Sequence, residues 1–224
     1  MGCGRTDAQV HATQFFFHLE VDHAWDFDMM YRLNKLLPPD IAVFEIILVD
    51  PFQHARFDAM QRTYDYFIHT YKDPFLSESS AMYMEPNLNL EEMKKAVALF
   101  TQHKDFRAFC KSPDKYKHTL CHVSSATLYR NPAGDKIRFQ ISANRFLSSM
   151  VRTMVGALLE VGRGELPVTE LENCILKKEL PEFVTPAYPQ GLYLTKVTYR
   201  YLDLPARPKF GSFVQTAEDK WIVV

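Results

Sequence analysis

Residues 136–161 read KIRFQISANRFLSSMVRTMVGALLEV. In the first part, Ile137, Phe139 and Ile141 alternate with Lys136, Arg138 and Gln140, the period of a strand with one apolar and one wet face. In the second, Met150, Val151, Met154, Val155 and Leu158 recur at helical spacing over 147–161, with Gly162 as the stop. Upstream, 119–129 is a further strand-like run, joined to the first through the turn residues Asn131-Pro132-Ala133-Gly134-Asp135. A hairpin that hands over to an amphipathic helix implies an α+β protein with a mainly antiparallel sheet.

The same reading extends outward in both directions. On 62–68, Arg62, Tyr64, Tyr66 and Ile68 share one strand face and Thr63, Asp65 and Phe67 the other. Asn89 and Glu92 form a capping box before a helix with Met93, Val97 and Phe100 on one stripe. Thr169 and Glu172 open a shorter helix in the same way, and 191–201 is the last strand. Toward the start, 15–21 alternates as a half-buried strand, with Phe15, Phe17, Leu19 and Val21 on its apolar face. Asp26 is positioned to cap a helix carrying Met29, Met30, Leu33 and Leu37, ended by Pro38 and Pro39, and 41–49 reads as a strand. Pro51 marks the expected boundary between an N-terminal unit, 1–51, and a C-terminal unit, 52–224.

Composition bounds the class of protein. With 47% hydrophobic and 24% charged residues, the chain can bury a core and is not a disordered sequence. No stretch approaches the roughly 20 apolar residues of a membrane span, and the N-terminus lacks a signal-peptide pattern, so a cytoplasmic protein is expected. Cys3, Cys110, Cys121 and Cys174 are too sparse for a disulfide framework and are expected as thiols. Cys110, His118, Cys121 and His122 lie close in sequence, but their spacing matches no zinc knuckle or ribbon; no metal is expected. The net charge of −1 decides nothing about nucleic acid, because a basic patch can sit on a neutral protein.

Four features bear on chemistry. Arg5-Thr6-Asp7 sets a carboxylate beside a guanidinium in a loop, which is either a turn salt bridge or a reactive acid with its cation. Tyr64 and Tyr66 suit a sheet core as well as a stacking platform. Arg152 interrupts an apolar helix and points either to solvent or into a cleft. Residues 103–118 interleave Lys104, Arg107, Lys111, Lys115 and Lys117 with Phe106, Phe109 and Tyr116, which fits an RNA backbone with unpaired bases, although a solvated loop is the commoner source of such a composition.

A collinear set of segments separates these alternatives. Gly4-Arg5-Thr6-Asp7-Ala8-Gln9-Val10-His11-Ala12 resembles the GRTDAGVHA signature of TruA-type tRNA pseudouridine synthases. Leu33-Asn34, Leu37-Pro38 and Asp40-Ile41 with Val43 resemble that family's LN..LP.DI.V, and His54-Ala55-Arg56-Phe57 with Ala59, Arg62 and Tyr64 its HARF.A..R.Y. Asp105-Phe106 with Phe109, Ala143-Asn144 with Phe146 and Met150-Val151-Arg152, and Gly191-Leu192-Tyr193-Leu194 continue the match in order.

The resemblance implies an isomerase that converts uridine to pseudouridine at positions 38, 39 and 40 of the tRNA anticodon stem-loop, without cofactor. It implies two ferredoxin-like (RRM-like) α/β halves meeting at a central cleft, and a cytoplasmic homodimer that binds tRNA. Asp7 would be the nucleophile, Arg152 its cationic partner, and Tyr64 the ring that stacks on the target base. Arg5 would help hold or flip the nucleotide, and His54, Arg56, Phe57, Arg107, Lys111, Lys115 and Lys117 would contact the RNA. A nucleophilic carboxylate in a desolvated pocket needs such a cation to stay charged.

Two departures stand out. The family carries a strand and helix before its GRTD segment, whereas Met1 stands just ahead of Cys3 here. The first half is therefore expected to be N-terminally truncated, with core surface and a sheet edge left open. Gln9 occupies the family's second glycine, where a positive φ would strain a residue with a Cβ. The alternative expectation is a catalytically silent protein of the same fold that binds tRNA or a partner subunit.

Overall fold

The computed structural model describes residues 1–85, 87–205 and 220–224. Its centre is the pair of strands that the opening stretch and 62–68 encode. Strand β1 is His11–Ala12, β2 Ala59–His69, β3 Ala81–Met82, β4 Val123–Arg130, β5 Lys136–Ala143, β6 Leu192–Tyr199 and β7 Ile222–Val223. They form one sheet in the order β1-β6-β2-β5-β4-β7, with β3 at the end of β2. The three long pairings, β6 to β2, β2 to β5 and β5 to β4, are antiparallel, as is the short one of β4 with β7. The molecule is an α+β fold.

Alternation on β2 and β5 builds the core. Tyr64, Tyr66 and Ile68 stand beside Ile137, Phe139 and Ile141 on one face, all buried. Helix α2 (Leu90–Gln102), helix α3 (Met150–Arg163) and helix α4 (Val168–Lys177) cover that face through Met93, Val97, Phe100, Met154, Leu158 and Leu171. On β6, a register shift opposite Thr63 and Tyr64 leaves Thr195 and Lys196 together on the outer face. The shift lets Leu192 and Leu194 before it, and Val197 and Tyr199 after it, all reach the core.

The outer face of the hairpin is less wet than its alternation predicts. Asp65 is 1% exposed there, accepting from Arg138 Nε at 2.6 Å, Gln140 Nε2 at 3.0 Å and Thr195 Oγ1 at 2.6 Å. The alternating polar residues Arg138 and Gln140 thus satisfy a buried carboxylate, which would otherwise be strongly unfavourable.

At the far end of β2, His69 is also buried. Its Nδ1 meets Ser80 Oγ at 3.0 Å, and its Nε2 has no hydrogen-bond partner among the described residues. Burial pushes the imidazole below its usual range, with Lys136 adding to that and Asp73 opposing it. The neutral ring is therefore the folded form, and stability is full above the unfolded pKa and falls as pH drops through it. We expect the urea midpoint to decline between pH 7 and pH 5, with part of the decline absent in His69→Gln.

Several boundaries differ from those read in the sequence. α3 runs through Gly162 and stops at Gly164, whose φ is +82°. A Cβ at Gly162 would lie 2.7 Å from Met93 Sδ, so that glycine serves close helix packing and not termination. α4 starts after Pro167, with Thr169 already inside the first turn, and no side chain caps it. Helix α1 (Met29–Leu36) is capped by Asp28, which accepts from Tyr31 N at 2.9 Å, and not by Asp26.

The larger differences lie in 15–21 and 41–49, neither of which is a strand. Phe16, not its neighbours, packs inward, edge-on to Tyr199 at 5.4 Å, while Phe15, Phe17, Leu19 and Val21 are 43–54% exposed. The physical reason is the lack of a neighbour. Among the described residues, the backbone of 16–18 pairs only with that of 1–3, through Cys3 N to Phe16 O and His18 N to Met1 O. In 41–49, Asn34 takes the place of a strand, its amide bonding both the N and the O of Val43 at 2.7 and 2.8 Å. α1 buries none of its residues, and Leu36, Phe44, Ile46 and Leu48 stand at the surface. Alternation records which face could be buried, but a strand forms only where another backbone completes the ladder.

Candidate active site

The loop after Gly4 is pinned from below. Cys3 bonds Phe16 through its backbone, and its carbonyl accepts from Arg62 Nη2 at 2.6 Å. The same Arg62 nitrogen reaches Arg56 O at 3.0 Å, so one β2 side chain ties the segment before Asp7 to the loop 54–58. Beyond Asp7 the chain turns, with Val10 N on Asp7 O at 3.3 Å, and enters β1, which pairs in parallel with β6. Asp7 therefore sits on a tight turn anchored at both ends.

The turn forces Gln9 to φ 65°. A residue with a Cβ is strained there by roughly 1–2 kcal/mol, partly offset because glycine loses more freedom on folding. Gln9→Gly is expected to raise stability by about 0.5–1 kcal/mol, read as a melting temperature higher by roughly 1–4 °C.

Opposite the turn stands the N-terminus of α3. Arg152 Nη1 lies 2.7 Å from Asp7 Oδ2, and Ser149 Oγ donates to the same oxygen at 3.0 Å. Ser149 is the residue preceding the helix and has φ 58°, a left-handed conformation that aims its hydroxyl back at the carboxylate. Asp7 thus meets a guanidinium, a hydroxyl and the positive end of a helix dipole at once. The side chains of Arg152 and Asp7 are 18% and 33% exposed, so the pair is shielded yet open on one side.

Tyr64 lies beside them on the inner face of β2, 8% exposed and edge-on to Phe146 at 5.0 Å. Burial pushes its hydroxyl up to about 12; Arg62 opposes the shift, and Cys3 and Asp7 add to it. The phenol is neutral throughout the physiological range, and the ring offers an apolar wall next to a charged pair.

The sequence-derived RNA contacts fall in three groups. Lys111 donates its backbone N–H to Ser148 O, and Tyr116 Oη accepts from Ser148 N at 3.0 Å, which ties the basic loop to the residue next to Ser149. Lys111, Lys115 and Lys117 are exposed there, whereas Arg107 is paired with Asp114 and is not a free cation. His54 is turned inward on its own loop: Nδ1 accepts from Arg56 N and Phe57 N, and the ring stacks on Phe57 at 4.2 Å. Phe57 is 73% exposed. Arg5 is exposed in the Asp7 turn and enters no ion pair with the described residues.

A model of the tRNA pseudouridine synthase family matches residues 96–200. A tRNA pseudouridine synthase A from Parabacteroides distasonis is 41% identical over 203 residues, spanning 89% of this chain and 79% of that protein. The chain belongs to the tRNA pseudouridine synthase family. Its members in Bacteroides thetaiotaomicron and Porphyromonas gingivalis, both named tRNA pseudouridine synthase A, are 38% and 36% identical over 89% of this chain. Membership in the family makes the chain an isomerase.

Sequence reasoning missed several parts of this candidate site in the pseudouridine synthase chain. Ser149 carries only the faint signal of a polar residue ahead of an apolar helix. Arg62 was part of a matched segment but not a site residue, and its role as a brace appears only once residues far apart in the chain meet. Ala187, whose carbonyl accepts from Arg152 Nε at 2.7 Å, acts through its backbone and leaves no mark in composition. Among the described residues, no cluster of His, Cys, Asp and Glu could hold a metal, and all four cysteines are buried thiols. No described helix is long and apolar enough to cross a membrane.

Proposed function

We propose that this chain isomerises uridine to pseudouridine at positions 38, 39 and 40 in the anticodon stem-loop of tRNA, with Asp7 as nucleophile. The observation that carries the reading is the convergence of Asp7, Ser149 and Arg152 on one carboxylate oxygen, from segments 142 and 145 residues away in sequence. The relatives' name, tRNA pseudouridine synthase A, supplies the substrate class.

The chemistry asks little of the protein beyond what this site offers. The glycosidic C1′–N1 bond breaks, the uracil turns, and a C1′–C5 bond forms, while N1 gains a proton and C5 loses one. The Asp7 carboxylate bonds to C1′ as the C1′–N1 bond breaks and is displaced again as C5 bonds to C1′; Arg152 and Ser149 hold that carboxylate in place before attack and after release. Tyr64 gives the detached uracil an apolar surface against which to turn. Lys111, Lys115 and Lys117 next to the helix start, and Arg5 in the turn, would hold phosphates of a stem-loop whose target base has left its stack. On this reading the protein works in the cytoplasm as a homodimer around tRNA.

The test is tritium release from tRNA labelled at uridine C5. Wild-type protein should release tritium from a tRNA carrying uridine at 38–40 and none when those positions are cytidine. Tight tRNA binding without release would instead favour the silent, binding-only reading.

A further inference from the structure

Arg152 is held by more than Asp7. Its Nε donates to Ala187 O at 2.7 Å, and its own backbone carbonyl accepts from Ala187 N at 2.9 Å. One residue of the strap 184–188 therefore grips both ends of the arginine. The next residue, Tyr188, is gripped in turn. Its N–H donates to Tyr83 Oη at 3.1 Å, and its carbonyl accepts from Tyr66 Oη at 2.7 Å. The Tyr83 and Tyr188 rings stack at 5.2 Å. Tyr66 is fully buried in β2, and Ala187 is 3% exposed.

The strap lies against α3 only because residue 156 is glycine. A Cβ there would stand 2.0 Å from Thr185 O. The backbone bonds of 187 and 188 are thus fixed by the helix on one side and by two phenols on the other.

We propose that residues 184–188, clamped at Tyr188 by Tyr66 and Tyr83, form a positioning device that sets the guanidinium plane of Arg152 toward Asp7. A guanidinium on a long side chain keeps several rotamers when it has a single partner. Bonds through both Nη1 and Nε define its plane. Tyr66 and Tyr83 touch no reacting atom. They act through Tyr188 and Ala187, carrying the position of the sheet to the cation. The catalytic consequence rests on the function proposed above; the clamp itself is a property of the folded chain.

The test is Tyr66→Phe, which removes one hydroxyl and keeps the ring in the core. Tyr193→Phe is the matched control, since its hydroxyl donates to Ser79 O at 2.6 Å on the other face of the sheet. In protein labelled with 15N at arginine, the Arg152 Nε–H signal should be sharp and protected in wild type and in Tyr193→Phe. In Tyr66→Phe it should exchange at least tenfold faster, the size expected from losing a buried hydrogen bond. In tritium release, Tyr66→Phe should lower kcat roughly tenfold with KM for tRNA within twofold, while Tyr193→Phe leaves both unchanged. An unchanged Nε–H signal in Tyr66→Phe, or an equal kcat loss in both variants, overturns the clamp. No release by the wild type would overturn the proposed function instead, and the exchange measurement would still decide the clamp.

Discussion

Asp7→Asn should abolish tritium release, by on the order of 10³-fold or more in kcat, with tRNA binding retained. Asparagine is nearly isosteric, and its amide oxygen can still accept from Ser149 Oγ and Arg152 Nη1. The fold should survive, because the turn is held by backbone bonds of Cys3 and Val10 and by Arg62, not by the carboxylate. What disappears is the carboxylate that the proposed mechanism uses to attack C1′. Arg152→Lys separates charge from geometry. It keeps the cation but cannot reproduce the two bonds from Nη1 and Nε, and its kcat should fall by roughly 10²-fold. Activity of Asp7→Asn above one per cent of wild type would remove Asp7 from the chemistry.

Gly156→Ala should be the most damaging small substitution away from the carboxylate. The added methyl would overlap Thr185 O at 2.0 Å and crowd Thr185 C at 3.1 Å. Both are backbone atoms, so no side chain can turn aside; α3 and the strap must separate. Overpacking of this kind costs about 2–4 kcal/mol, a melting temperature lower by roughly 5–15 °C for a domain of this size. Separation also breaks the Ala187 bonds to Arg152, so activity should fall further than stability alone explains, even where the protein is fully folded. Gly164→Ala is the comparison. That glycine has φ +82° with nothing within 4 Å of an added Cβ, so the cost should be only about 1 kcal/mol, without loss of turnover.

The stop that the sequence reading placed at Gly162 falls at Gly164, and the glycines of this helix show why. Gly164 ends a helix by its backbone angle, a local property of the kind that capping rules describe. Gly156 and Gly162 are set by what lies across from them, Thr185 and Met93, and no local rule distinguishes them from a helix stop. The same division separates the strands. β5 has the limits its alternation implies, because both its neighbours, β2 and β4, are present to complete the ladder. Residues 15–21 alternate just as well and 41–49 are as apolar, yet neither forms a strand, because the described chain gives them no such neighbour.

By itself, the sequence determined the α+β class, the hairpin, the amphipathic helices and, through its matched segments, the family and the candidate residues Asp7, Tyr64 and Arg152. These are legible because the 2.0 and 3.6 periods are local records of burial, and because a reactive side chain must be a particular residue type. Only the tertiary structure decided that Asp7 and Arg152 meet at 2.7 Å, that Ser149 joins them, and that Arg62 braces the turn. It alone brought Ala187 to the arginine and Tyr66 to Tyr188. Those contacts join residues distant in sequence, several of them through backbone atoms that every residue shares, so no pattern along the chain can encode them.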